Sequence, residues 1–508
     1  MPELLLLMPV APALAALVLA ALGLAQRLPA EPLVRRIAAF GLGGGLVGAL
    51  GLALGRAAGR LPAELTLGTW LRVGAEHHDL AVLLDGPGLA LLSMGTLVTV
   101  AAARFAGPYL HREPGFARFY ATLCLFLAAL GLLALSADAL LTYAGWEGLG
   151  LCSALLIGYF RERPAAAVAG TRAYVSGRIG DAGFLLGILL CLSWLGTTRW
   201  SGVAAGAGSL SVAQASAIAA CFLLAAMAKA GQPPLSGWLL RAVEGPTPSS
   251  ALFYGAVAVH AAVLLMLRAG PLLDRGGPAA TLAVGVGLTG AAAGTLISLA
   301  QPDVKSALFA ASLAQVGLMI AECGLGLPQV AQVHMVAHGL FRGWQILRAP
   351  SILADLRRRP LRPLGRPLAG ARILYVAALR QLWLEELARW ALLDPLARLG
   401  RELAGIDSRL VDRLTGLPLR RATGLTTWSP QHLGAPEVEQ GQGVLGRLAQ
   451  WSASVLARIE DRLVLRAIGQ GIPDAGGQLG AALSRVELLL ARPFVLALLV
   501  IATLILVW

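Results

Sequence analysis

Nine side chains that can hold or pass a proton lie inside stretches that are otherwise apolar. They are Glu147, Asp181, Lys229, Tyr254, His260, Lys305, His334, His338 and Arg342. An ionisable group near the middle of a bilayer costs roughly 2.5–3.5 kcal/mol or more, so each such residue calls for a function or a partner. Lys229 stands in "CFLLAAMAKAGQPPLSGW" (221–238), and Glu147 stands in "LLTYAGWEGLGLCS" on a different apolar stretch. Across a helix bundle the two are expected to face each other. With Glu147 beside it Lys229 keeps its proton, and if the carboxylate moves or is neutralised the lysine gives the proton up. The alternative is a static ion pair that pins two helices, or a lysine that snorkels.

Pro233 and Pro234 follow Lys229 by one turn and break its helix. A broken membrane helix leaves backbone groups unpaired, tolerated only where protein or water covers them. The lysine and the break together point to a hydrated cavity at mid-membrane, in the manner of discontinuous transporter helices. His334 and His338 are four residues apart and share a helix face, which Arg342 extends by a turn. Three chemistries fit: a proton relay, a metal pair and plain structural hydrogen bonding. Zinc would want a third and a fourth ligand, and no carboxylate lies nearby in sequence. Asp181 has Arg178 as a possible partner at the membrane edge. Lys305 opens its stretch and can snorkel, and Glu322 at the other end of that stretch reads as solvated.

The elements that position these residues follow from composition. The chain has 508 residues, 57% hydrophobic and 14% charged, where a soluble domain carries about 25% charged. Spans of about 20 apolar residues are expected near 4–25, 37–55, 80–103, 117–137, 139–159, 179–197, 214–235, 247–268, 279–300, 305–325, 329–348 and 491–508. The first lacks a basic leader and is too long for a signal peptide. Loops after odd-numbered spans carry about twice the Lys and Arg of those after even-numbered ones, with Arg161, Arg163, Arg172 and Arg178 among them. The positive-inside rule then puts the N-terminus outside and the region after 348 in the cytoplasm. The net charge of +13 fits such anchoring.

Several chemistries are disfavoured. Cys124, Cys152, Cys191, Cys221 and Cys323 lie in expected spans without a CxxC pair, which argues against disulfides, zinc ribbons and iron–sulfur clusters. The 61 glycines suit close helix packing in a bilayer. The GxGxxG within "GLGGGLVG" (41–48) follows no strand and sits in an apolar span, so it does not read as a nucleotide site. Walker loop, nucleophile elbow and HExxH are missing, as is a basic patch interleaved with aromatics for nucleic acid. No cofactor and no metal are expected in this chain, and no redox or hydrolytic site, so enzyme status rests on a larger assembly.

The stretches "GWEGLGLCSALLIGYF", "RIGDAGFLLGI", "AKAGQPPLSGWLLRAVEGPTPSSAL" and "QPDVKSALFAASLAQVGLM" resemble the antiporter-like subunits of respiratory complex I. Subunit L, itself related to the large subunit of Mrp-type sodium/proton antiporters, is the nearest in pattern. The resemblance covers about residues 80–350, and "LWLEELARWALLDPLARLGRELAGIDSRLVDRL" with the terminal span is similar to the tail of subunit L. It implies an all-α membrane bundle of antiporter-like fold with a discontinuous helix, a C-terminal lateral amphipathic helix and an anchor helix. It implies that Glu147 and Lys229 are the coupled pair, and that His334 and His338 continue a polar axis for protons.

There are departures. Tyr254 stands where the family usually has histidine, with His260 six residues on at a different angle, and Arg342 replaces a lysine. The second inverted repeat is shortened, since the chain passes from 348 through "DLRRRPLRPLGRPLAG" to the tail. The expected layout is 1–116 for N-terminal spans, 117–268 for the first repeat, 279–350 for a partial second repeat, 351–490 for a cytoplasmic-side linker and lateral region, and 491–508 for the anchor. Segment 369–397 either lies in the interface or partly spans. "AECGLGLPQVAQVHMVAHGLF" is similar to the membrane subunit of DAB-type inorganic-carbon uptake systems, which pair with a zinc protein resembling carbonic anhydrase.

The expected function is a proton-translocating subunit of a complex I-type NADH-quinone oxidoreductase or related complex, in a bacterial inner membrane. A proton-conducting subunit for bicarbonate or CO2 uptake, and a non-pumping structural subunit, remain as alternatives, and sodium stays open as the ion. The expected partners are accordingly other membrane subunits or a cytoplasmic zinc protein.

Overall fold

The computed structural model describes residues 3–73, 76–349 and 372–388, with Trp390, Pro395 and Trp451 beyond them. In order, the elements are α1 (Glu3–Leu24), α2 (Glu31–Ala57), β1 (Glu64–Val73), β2 (Glu76–Leu83), α3 (Gly86–Tyr109), α4 (Phe116–Leu135), α5 (Ala139–Ile157), α6 (Pro164–Leu195) and α7 (Trp200–Gly206). Then come α8 (Val212–Ala230), α9 (Gly237–Arg241), α10 (Thr247–Ser250), α11 (His260–Arg268), α12 (Gly270–Leu273), α13 (Pro278–Ala300), α14 (Val304–Gly324), α15 (Pro328–Arg348), α16 (Arg372–Leu379) and α17 (Leu384–Ala388). Ten helices among the described residues are long and apolar enough to cross a membrane. The eleventh expected span, 329–348, is helical as α15, but its histidines and arginines keep it below that apolarity.

Helix starts follow capping chemistry. Asp85, Asp138 and Asp303 each accept a backbone N–H in the first turn of α3, α5 and α14, and Ser211 with Gln214 forms a capping box at α8. The wholly buried stretch 248–269 is the central pillar. Inside it, residues Ala251–Ala256 form a π-helical segment between α10 and α11. Helix α13 lies along α14, α6 along α8, and α1 along α2 and α4. The α13–α14 approach requires glycine: a Cβ on Gly317 would fall 2.6 Å from the Gly287 carbonyl oxygen. This is the small-residue packing that substitutes for hydrophobic drive in a bilayer.

One feature departs from expectation. An antiparallel hairpin, β1 with β2, occupies residues 64–83, so the span expected at 80–103 is α3 at Gly86–Tyr109. Arg199 ties the hairpin down through Glu64 at 2.5 Å and Asp79 at 3.1 Å. Within segment 369–397 the described residues form α16 and α17, eight and five residues long. The shortening of the second repeat, the lateral helix and the anchor at 491–508 lie outside the described residues. The described cysteines are all free, and four of the five are buried.

Candidate functional site

The first polar cluster joins α5, α6 and α8. Glu147 lies eight residues into α5, about 12 Å along its axis. Arg178 and Asp181 sit one turn apart on α6. Arg178 Nη2 reaches Glu147 Oε2 at 2.6 Å and Asp181 Oδ2 at 2.8 Å. Asp181 is buried, and its Oδ1 accepts from the Trp146 indole Nε1 at 2.8 Å. Lys229, in the last turn of α8, donates to the Trp146 carbonyl at 2.8 Å, and its Nζ stands 4.4 Å from the Trp146 ring centroid. The expected direct pairing of Glu147 with Lys229 is therefore corrected: Glu147 is held by Arg178, and Lys229 by Trp146. A single guanidinium nitrogen lies between two carboxylates on neighbouring helices, so one cation serves both.

The break after Lys229 is lined by protein groups, with Gln232 and Ser236 buried in it. Helix α8 ends at Gly231, whose left-handed φ of 62° an L side chain rarely adopts. Pro233–Pro234 follows as a cis peptide. The Ala228 carbonyl accepts from the Trp238 indole at 3.0 Å, and the Gln232 amide donates to Leu313 O of α14 at 3.2 Å. Lys305 donates to Val243 O at 2.9 Å and Gly245 O at 2.8 Å, so it caps the far end of the break instead of snorkelling.

The second cluster joins α11, α14 and α15. His260 Nε2 and His338 Nδ1 are 3.0 Å apart, and Arg342 Nε donates to His338 Nε2 at 3.3 Å. Arginine has only donors, so His338 Nε2 accepts, which places the His338 proton on Nδ1, directed at His260 Nε2. That leaves the His260 proton on Nδ1, facing the backbone of Ala256 without meeting full hydrogen-bond geometry. His334 bonds Glu322 Oε1 through Nδ1 and Gln315 Oε1 through Nε2, both at 2.9 Å. Glu322, read from sequence as solvated, is thus a half-buried partner of His334. The rings of His334 and His338 are 6.3 Å apart, close enough for one bridging water but not for a direct bond.

Tyr254 lies apart from both clusters. Its hydroxyl is buried and has no hydrogen-bond partner, and its ring packs 4.2 Å from Phe309 and 6.1 Å from Trp238. His260 takes the place at the cluster instead. Among the described residues, no group of three or more His, Cys, Asp or Glu is arranged to hold a metal ion. Sequence reasoning missed Trp146, Glu322 and Gln315, and placed Arg178 only as a partner of Asp181. The four-residue offset from His338 back to His334 could have directed attention to the facing end of α14.

Residues 136–366 match the family model described as NADH:quinone oxidoreductase/Mrp antiporter, TM. NADH-quinone oxidoreductase subunit L of Mycobacterium tuberculosis is 36% identical over 302 residues, covering 57% of this chain and 47% of that one. NAD(P)H-quinone oxidoreductase chain 5 of a Synechocystis strain is 35% identical over 295 residues, covering 56% and 43%. The chain thus spans somewhat under half the length of these curated relatives. Among solved structures, the Mrp complex from Dietzia sp. DQ12-45-1b superposes with a TM-score of 0.59 at 26% identity, over 68% of this chain and 37% of that one. An archaeal membrane-bound sulfane sulfur reductase superposes equally well at 19% identity, over 68% and 70%, which supports the fold. With the ten candidate spans and the broken helix, these matches show a multi-pass membrane protein of antiporter-like fold, similar over residues 136–366 to the NADH:quinone oxidoreductase/Mrp antiporter family and, over about 300 residues, to subunit L.

Proposed function

We propose that the chain is a proton-translocating membrane subunit of a complex I-type or related assembly. The supporting observation is the chain of buried and half-buried titratable groups on apolar helices: Glu147, Arg178, Asp181 and Lys229 on one side, and His260, His338, Arg342, His334 and Glu322 on the other. Apart from Lys229, which rests on the Trp146 carbonyl and ring, each has a partner that can give or take a proton, or a cation that biases where the proton rests. Lys229 holds a proton at the end of the broken helix, and Arg178 governs which carboxylate is free to receive it. His334 and His338 carry it along α15, with His260 as an added member. The energy source lies in partner membrane subunits, as the names of the relatives suggest. We also propose a bacterial inner membrane with the N-terminus outside, because by span count Arg161 and Arg163 between α5 and α6 share a side with Arg35 and Arg36 near the start of α2 and with Arg348 at the end of α15.

The test is proton flux in native membrane vesicles carrying the full chain with Lys229→Ala. Lost flux at normal assembly is expected, and flux equal to wild type removes the reading. The alternative, carbon uptake with a zinc partner, rests on the stretch 321–341 alone; co-purification of a single large zinc protein with the tagged chain would replace the first reading by it.

A further inference from the structure

Trp146 touches both Lys229 and Asp181. Its indole N–H is committed to Asp181 Oδ1 at 2.8 Å, which fixes the plane of the ring. Phe184 packs edge-on against that ring at 5.3 Å and in turn against Phe222 of α8 at 5.5 Å, so the ring cannot tilt without moving the lysine helix. Above the ring stands Nζ of Lys229, 4.4 Å from the centroid, and the same Nζ donates to the main-chain carbonyl of Trp146. Gly150, one turn on, leaves the room this needs: a Cβ there would lie 3.0 Å from Nζ. A buried cation over an indole face is held by the ring quadrupole, and indole binds it better than phenyl. Trp146 itself is 2% exposed, so water does not compete at the ring.

We propose that Trp146 is the positioning residue for the Lys229 ammonium, and that through its indole it ties Lys229 to Asp181 rather than to Glu147. Arg178 pairs with both carboxylates, but only Asp181 is also bonded to the indole that seats Lys229. Asp181 acts continuously: weakening its bond to the indole frees the ring, and with it the seat of the ammonium. This inference rests on the proposed proton-carrying role of Lys229, which it refines.

Two measurements test it on the full-length protein. Ultraviolet resonance Raman spectra, each compared with the same background carrying Trp146→Phe, isolate the Trp146 indole. Asp181→Asn should move the hydrogen-bond-sensitive indole band towards weaker bonding, and Lys229→Met should alter the bands that report the ring face. In native vesicles, Trp146→Phe keeps an aromatic face and the carbonyl, and should lower proton flux roughly three- to tenfold; Trp146→Leu should lower it more than tenfold. Bands unmoved in both backgrounds overturn the proposal, and so does wild-type flux in Trp146→Phe. If wild-type vesicles show no flux dependent on this chain, the proposed function fails, while the spectra still decide the role of Trp146.

Discussion

Lys305, in the first turn of α14, donates to the carbonyl oxygen of Gly245 at 2.8 Å, across sixty residues of chain. Its second donation, to Val243, makes the ammonium a cap for the short helical turn that resumes the path of α8 after its break. A helix end in a bilayer must find such donors or acceptors inside the protein. Replacing Lys305 by Met keeps the stem and removes the cap. The expected cost is about 2 kcal/mol, the scale of a charged hydrogen bond. Thermal unfolding of the detergent-solubilised protein should show a melting point several degrees lower; an unchanged one would mean the ammonium is solvated.

Arg178 shares one nitrogen between Glu147 and Asp181. Arg178→Ala leaves two carboxylates without their common cation. Arg178 is about one-third exposed, at 37% for its side chain, so the loss falls below that of a fully buried pair, at about 2 kcal/mol. Adding Glu147→Gln removes the repulsion, so the double variant should recover part of the stability. A double variant as unstable as the sum of the two singles would show that the three groups do not act as a unit.

Tyr254 offers a sharp contrast, because its buried hydroxyl has no partner. Tyr254→Phe should leave flux unchanged and hold or raise stability by up to about 1 kcal/mol, since an unsatisfied polar atom is removed. A clear loss of flux would reinstate the hydroxyl as a relay.

His260 and His338 share a hydrogen bond at 3.0 Å. Each single alanine variant should lower flux about tenfold, and the double should lower it no further, because both interrupt the same step. Independent effects that multiply would place the two imidazoles on separate routes.

Gly290 of α13 faces the Gln232 amide so closely that an added Cβ would collide with its oxygen. Gly290→Ala should push the break of α8 away from α14, at a cost of about 1–3 kcal/mol. Reduced yield of folded protein in gel filtration is the expected reading, and a normal elution profile with wild-type melting would mean Gln232 swings aside freely.

Much of this was legible in the sequence, for identifiable reasons. Span positions follow from apolar length, and Lys229, Asp181, His334 and His338 stand out because charge is rare in such stretches. Partner choice was not legible, because nothing in sequence says which way a helix is turned: Glu147 was assigned to Lys229, while α6 presents Arg178 to it first. Trp146 reads in sequence as one more aromatic in a membrane helix. His260 was expected on a different face from Tyr254, and it is: His260 meets His338, while Tyr254 packs against Phe309 and Trp238. What the sequence did not show is the π-helical segment Ala251–Ala256 that lies between the regular turns on either side of Tyr254. Glu322 looked exposed because it lies near a helix end, yet α15 folds back to lay His334 against it.

The cluster around Trp146 also carries a constraint of charge. In their ordinary ionised forms Arg178 and Lys229 contribute two positive charges, and Glu147 and Asp181 two negative ones. The sum is zero. Where the dielectric is low, any unit left uncompensated is felt far more strongly than in water. A proton settling on either carboxylate therefore leaves the group with a surplus charge, and the departure of the proton on Lys229 restores the balance. In the proposed proton-carrying role, arrival and departure are then two halves of one exchange, and electroneutrality favours one proton out for each proton in.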